Sequence, residues 1–174
     1  MKKFFALLLA GMMLLSMCAC SKAPDSIDLE KATWDEIVKA AEGTTVTFYG
    51  WGGDENRNNW LNNTVAAQLK EKYDITLEVV GMDINDILAK LSGEKQANAK
   101  KGSIDMIWIN GENFYSAKDN GLLWGPFTGK LPNMDAYIDL DDPETLNDFC
   151  MPIDGYEAPY AKAQMGMYAD TAVT

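Results

Sequence analysis

Gly50, Gly52 and Gly53 interrupt the stretch YGWGGDENRNNW, between an apolar run and a helix-like segment. Glycines in that place let a backbone close around a phosphate, as nucleotide-binding loops do. The neighbouring residues argue against that chemistry. Glu55 stands where the third glycine of a dinucleotide fingerprint would be. Asp54 and Glu55 also bring negative charge to a helix entrance where a bound phosphate needs positive potential. No GKS or GKT follows, which excludes a P-loop.

Catalytic chemistry is equally short of residues. The chain has no histidine, which removes the usual general base, the Ser-His-Asp arrangement and most zinc sites. The acidic run Asp139, Asp141, Asp142 and Glu144 begins like a calcium loop but has Pro143 at the fifth place and no glycine at the sixth, so it reads as a solvated loop. Asp54, Asp105 and Glu112 lie near strand ends and offer a carboxylate pair for glycoside hydrolysis only if folding sets the required separation. No catalytic residue, metal site or cofactor is expected. What remains is the composition of a binding site: Trp51 as a flat apolar face, small residues that admit a ligand to the backbone, and Asn and Glu side chains in NGENF (residues 110–114).

The elements that would position these loops alternate in type. Residues 44–49 and 75–80 are β-rich and each ends at a glycine, and 105–109 is an apolar run of the kind buried on both faces of a parallel sheet. Between them, Leu61, Val65 and Leu69 form one helical stripe, and Ile84, Ile87, Leu88 and Leu91 another. A short helix follows at 113–120, stopped by Gly121. The order strand, helix, strand, helix, strand, helix predicts an α/β layer with a parallel sheet. In such a sheet ligands collect at the carboxyl ends of the strands, which is where loops 50–56 and 110–114 fall. Beyond Gly125, prolines break the pattern into loops until a weak strand at 164–169. That strand runs straight to the last residue, so an interrupted domain crossing is expected there.

The N-terminus has the layout of a secretory signal over residues 1–19, with Lys2 and Lys3 before an apolar stretch too short to span a membrane. Ala19 before Cys20 matches a lipobox, which makes Cys20 the acylated residue and the membrane anchor. Residues 20–43 then read as a polar tether and a short amphipathic helix over 28–41, with Leu29, Trp34, Ile37 and Val38 at helical spacing. Cys150 alone is left as a thiol, so no internal disulfide is expected. The net charge of −11 repels nucleic acid and anionic lipid surfaces, so neither is an expected partner.

Taken together, the lipobox, YGWGGDENRNNWL, IDMIWINGENFYSAKDNGLLWGPF and GYEAPYAKAQMGMYAD resemble the extracellular solute-binding proteins of ABC importers. The likeness is to the poorly characterised branch near the thiamine-, iron- and polyamine-binding proteins. The resemblance implies a periplasmic-binding-protein-like fold of two α/β lobes that close over a small polar solute and deliver it to a membrane permease with its ATPase. Residues 44–160 would form the first lobe and 161–174 the start of the crossover, with the second lobe missing or only begun. Cleft-facing residues carried over by motif are Trp51, Gly52 and Gly53, then Asn110, Gly111, Glu112 and Asn113, then Tyr156, Ala158, Pro159 and Tyr160. Trp51 serves equally as ligand shelf or core aromatic, whereas Trp108 is expected in the core. Gly52 and Gly53 have a second use as turn residues, and Glu112 as a helix cap. The implied role is non-enzymatic and extracytoplasmic, in the periplasm or at the outer cell surface. A surface glycan hydrolase and a structural or adhesive lipoprotein are the other classes open to this sequence.

Overall fold

A computed structural model describes residues 27–161. The expected signal, the Cys20 anchor and the strand at 164–169 lie outside the described residues. Chain contacts divide the protein into two units after Glu42.

In the first unit, helix α1 (Trp34–Ala41) is shorter than the 28–41 expected. Thr33 caps it: the Glu36 amide donates to the Thr33 hydroxyl at 3.4 Å, and the Thr33 amide donates back to the Glu36 carboxylate at 2.8 Å. This reciprocal capping box satisfies the free donors of the first turn. The Thr33 amide and hydroxyl also hold the Glu36 carboxyl below its usual pKa. Residues before Thr33 form a turn closed by the Lys31 amide on the Asp28 carbonyl.

The second unit is built on a parallel sheet with strand order β2-β1-β3: β1 (Thr45–Gly50), β2 (Thr76–Gly81) and β3 (Met106–Ile107). β1 and β2 pair in register from Thr45 opposite Thr76 to Gly50 opposite Gly81. Their crossover is one continuous helical run: α2 (Glu55–Asn59), a π-helical segment (Trp60–Val65) and α3 (Ala66–Tyr73). The expected stripe is present, with Leu61 buried and Val65 and Leu69 half-buried. The π segment was not foreseen. Within it the Asn62 side-chain amide donates to the Asn58 carbonyl at 2.8 Å, occupying an acceptor that a regular helix gives to a backbone amide.

α4 (Ile84–Gln96) starts at the Asp83 cap, and its expected apolar residues Ile84, Ile87, Leu88 and Leu91 all turn away from solvent. β3 departs from expectation. Only Met106 and Ile107 pair with β1, and Met106 is 49% exposed rather than buried on both faces. Among the described residues no strand lies beyond β3, so its outer edge stays uncovered. Side chains do part of the stapling instead. Asp105 accepts from the Thr47 amide at 2.8 Å and from its hydroxyl at 2.9 Å, and the Asp105 amide donates to the Thr47 carbonyl at 3.2 Å. Asp105→Ala is therefore expected to cost about 1 kcal/mol, read as a lower urea midpoint, while an unchanged midpoint would remove the staple from the account.

α5 (Gly111–Asp119) begins earlier than sequence spacing predicts and ends at Gly121, whose φ of +59° closes the helix. Beyond it the chain is less loop-like than expected. α6 (Pro132–Tyr137) and α7 (Pro143–Leu146) each carry proline in the first turn, where its missing N–H has no partner to lose. β4 (Asn147–Asp148) and β5 (Met151–Pro152) then pair antiparallel. The buried apolar residues of this unit are Leu61, Ile87, Phe114, Ala117, Met134 and Ile153, with Ile87 and Phe114 fully enclosed.

Candidate solute-binding pocket

At the carboxyl ends of β1 and β2 the chain leaves Gly50 and Gly81 side by side, and the following loop folds back over them. A Cβ on Gly52 would sit 3.0 Å from the Gly81 Cα, so glycine is what permits the close approach. Two interactions pin this loop to the helical run. Asp54 caps α2 by accepting from the Arg57 amide at 3.0 Å, and the Asn58 side-chain amide donates to the Gly52 carbonyl at 2.7 Å. A pocket of about 160 Å³ is lined by Trp51 and Gly52 of this loop and by Arg57, Asn58, Leu61 and Asn62 of the helical run. Phe48 and Val79 of the strands complete its apolar part.

Trp51 is 57% exposed, so it is not packed in a core among the described residues. Its indole lies against Gly53, where any side chain would run into the ring. Trp108 differs from expectation: it is half-buried, not core. The Arg57 guanidinium stacks 4.7 Å from its ring centroid, and Tyr160 meets it edge-on at 6.2 Å. Neither Trp108 nor Tyr160 is in the lining of the pocket; both connect to it only through Arg57. Ala158 and Pro159 are exposed nearby in sequence, and Tyr156 instead packs where a Cβ on Gly125 would stand.

The second predicted loop is placed apart from this pocket's lining. Gly111 is buried, with a φ of +59°. Its amide donates to the Asp148 carboxylate, and the Phe149 ring covers its Cα. Asn110 and Glu112 are exposed and Asn113 half-buried, with Glu112 in the first turn of α5, where its charge suits the helix dipole. Lys118 secures the other side of α5 by donating to the Pro152 carbonyl at 2.8 Å and pairing with Asp154.

Of the three carboxylates considered for glycoside hydrolysis, Asp54 is spent on the α2 cap and Asp105 on the Thr47 staple. A different acid is perturbed. Burial raises the Glu157 carboxyl to a pKa of about 7, with the negative charge of Asp148 adding to the effect, and its Oε2 is enclosed without a hydrogen-bond partner. A folded-state pKa above the unfolded one favours folding below the unfolded value, and that benefit is lost as pH rises to about 7. Glu157→Gln is accordingly expected to leave the melting temperature unchanged near pH 4 and raise it at pH 8. The gain is about 1–2 kcal/mol, since the side chain is only partly buried. A gain of equal size at both pH values would contradict this.

The sequence missed Arg57, Asn58 and Asn62 as pocket residues. Their signal was available in spacing alone, because 57, 58, 61 and 62 share one helical face and Leu61 had already marked it as inward.

Ligands collect at the carboxyl ends of parallel strands, in pockets with aromatic and apolar lining, and this pocket has both features. Residues 64–174 match the family model of bacterial extracellular solute-binding proteins, and the chain belongs to that family. It is also similar to Protein YnjB of Escherichia coli (strain K12), with 36% identity over 151 residues. That alignment covers 86% of this chain and 38% of YnjB, so the chain spans well under half the length of this curated relative. No solved structure matches it. Among the described residues no helix is long and apolar enough to cross a membrane.

Proposed function

We propose that the protein is the solute-capturing component of an ABC importer. It holds a small polar solute against the pocket at the ends of β1 and β2 and delivers it to a membrane permease served by an ATPase. The observation that carries this reading is the pocket itself, with Trp51 and Gly52 at the carboxyl edge of a parallel sheet in a chain of the solute-binding family. Capture is by hydrogen bonds and stacking, without turnover. Trp51, Gly52 and Gly53 form the first contact loop, and Tyr160 connects to the pocket through Trp108 and Arg57. Asn110, Glu112 and Asn113, with Tyr156, Ala158 and Pro159, belong to a wider cleft completed by a companion lobe. Acylation of Cys20 would hold the protein at the outer face of the membrane, in reach of its permease.

The test is a ligand-observed NMR screen of sugars, amino acids, polyamines and organic acids against the chain. One face of a clamp predicts weak, saturable binding of one class, with the solute recovered unchanged. Tight binding to this chain alone would sink the half-clamp reading. Release of sugar from a glycan substrate, abolished by Glu112→Gln, would replace capture with hydrolysis.

A further inference from the structure

We infer that the solute bears a carboxylate, and that Arg57 is its charge partner in the pocket. This rests on the solute-binding reading and names the class of solute. Among the described residues Arg57 is in no ion pair, in a chain with 26 acids against 15 bases. Arg57 is part of the pocket lining, so its guanidinium N–H donors are offered to a ligand oxygen there. The guanidinium carbon lies 4.7 Å from the Trp108 ring centroid, a cation–π contact that holds the head group in place, and its N–H fork matches a planar, two-oxygen acceptor.

The surroundings narrow the choice further. Phe48, Leu61 and Val79 give the pocket an apolar part, so the carboxylate belongs on a short hydrocarbon rather than standing alone. Asp54 and Glu55 occupy the same helix entrance as Arg57, and the Asp54 carboxylate already serves the α2 cap. One guanidinium beside two acids suits a singly charged group. A doubly charged phosphate would meet more repulsion than the single cation offsets. The volume of about 160 Å³ holds the acidic end of a small organic acid, leaving the remainder to face Trp51.

The test titrates butyrate, butyramide and inorganic phosphate into the full chain. Binding is followed by the Arg57 Nε–Hε and Trp108 indole signals in 15N spectra. Butyrate should move both signals saturably, with butyramide and phosphate at least about tenfold weaker. Arg57→Lys keeps the charge but loses the fork, and should weaken butyrate about tenfold. Arg57→Gln should abolish binding, and the dispersed amide spectra of both variants report that they remain folded. Failure of butyrate to bind, equal binding of butyramide, tighter binding of phosphate, or full affinity in either variant overturns the inference. A neutral or cationic solute that binds at Trp51 regardless of Arg57 overturns it too, while leaving solute capture intact. Absence of saturable binding by every class in the wider screen removes both.

Discussion

Replacing Phe114 by alanine is expected to lower stability by about 3–5 kcal/mol, the largest loss from any single side chain in this fold. Phe114 is completely buried, on the inner face of α5 beside the equally buried Ala117. Removing the ring forfeits its transfer free energy and leaves a cavity whose walls are tied from several sides. Lys118, on the next turn, holds the β4–β5 hairpin through Pro152 and Asp154, and Gly111 is locked to Asp148. With the helix fixed at both ends, the site cannot collapse to fill the space. Domains are stable by only about 5–15 kcal/mol, so the variant should show a large drop in urea midpoint at an unchanged m-value. A loss under about 1 kcal/mol would mean that the α5 core is not where this unit is held together.

The second large effect falls on the loop that lines the pocket. Gly52→Val should destabilise the protein by about 1–3 kcal/mol and weaken solute binding at least about tenfold. The obstacle is backbone, not a side chain that can swing aside: a Cβ at Gly52 would stand 3.0 Å from the Gly81 Cα, and valine adds two further methyl groups. The loop must lift from the end of β2, which breaks the bond from Asn58 to the Gly52 carbonyl and shifts Trp51. Gly93→Ala provides the contrast. Gly93 lies inside α4 with nothing within 4 Å of an added Cβ, so alanine there should stabilise by about 0.5–1 kcal/mol and leave binding unchanged. Thermal melts and one binding isotherm for each variant check both. Equal behaviour of the two substitutions would show that the close approach at Gly52 is not what shapes the pocket.

Much of the scaffold could be read in the sequence because it depends on local pattern. The β-rich runs ending at Gly50 and Gly81, and the stripes through Leu61 and Ile87, each need only their own segment to be recognised. Asp54 at the helix entrance was legible for the same reason, and it caps α2 as its position demands. What escaped depends on neighbours distant in sequence. DMIWI looks like a fully buried strand, yet it pairs over two residues and leaves Met106 exposed, since burial is set by what lies across the sheet. Trp108 looked like core and instead carries Arg57 on its face, a contact across 51 positions of chain. The prolines after Gly125 read as loop markers, yet Pro132 and Pro143 start helices from the one turn that tolerates them. That Trp51 and Gly52 line a pocket accords with the composition of their loop. The helical face lining the same pocket needed the observation that residues 57 and 58 precede Leu61 by one turn.

The most direct measurement is backbone 15N chemical-shift mapping of the chain with whichever solute the screen identifies. Solute capture at the strand ends predicts saturable shifts centred on Trp51, Gly52 and Asn58, extending to Trp108 and Tyr160, with the helix Trp34–Ala41 unmoved. Shifts confined to the β4–β5 hairpin and α5, with the Gly50–Asn58 region silent, would contradict it.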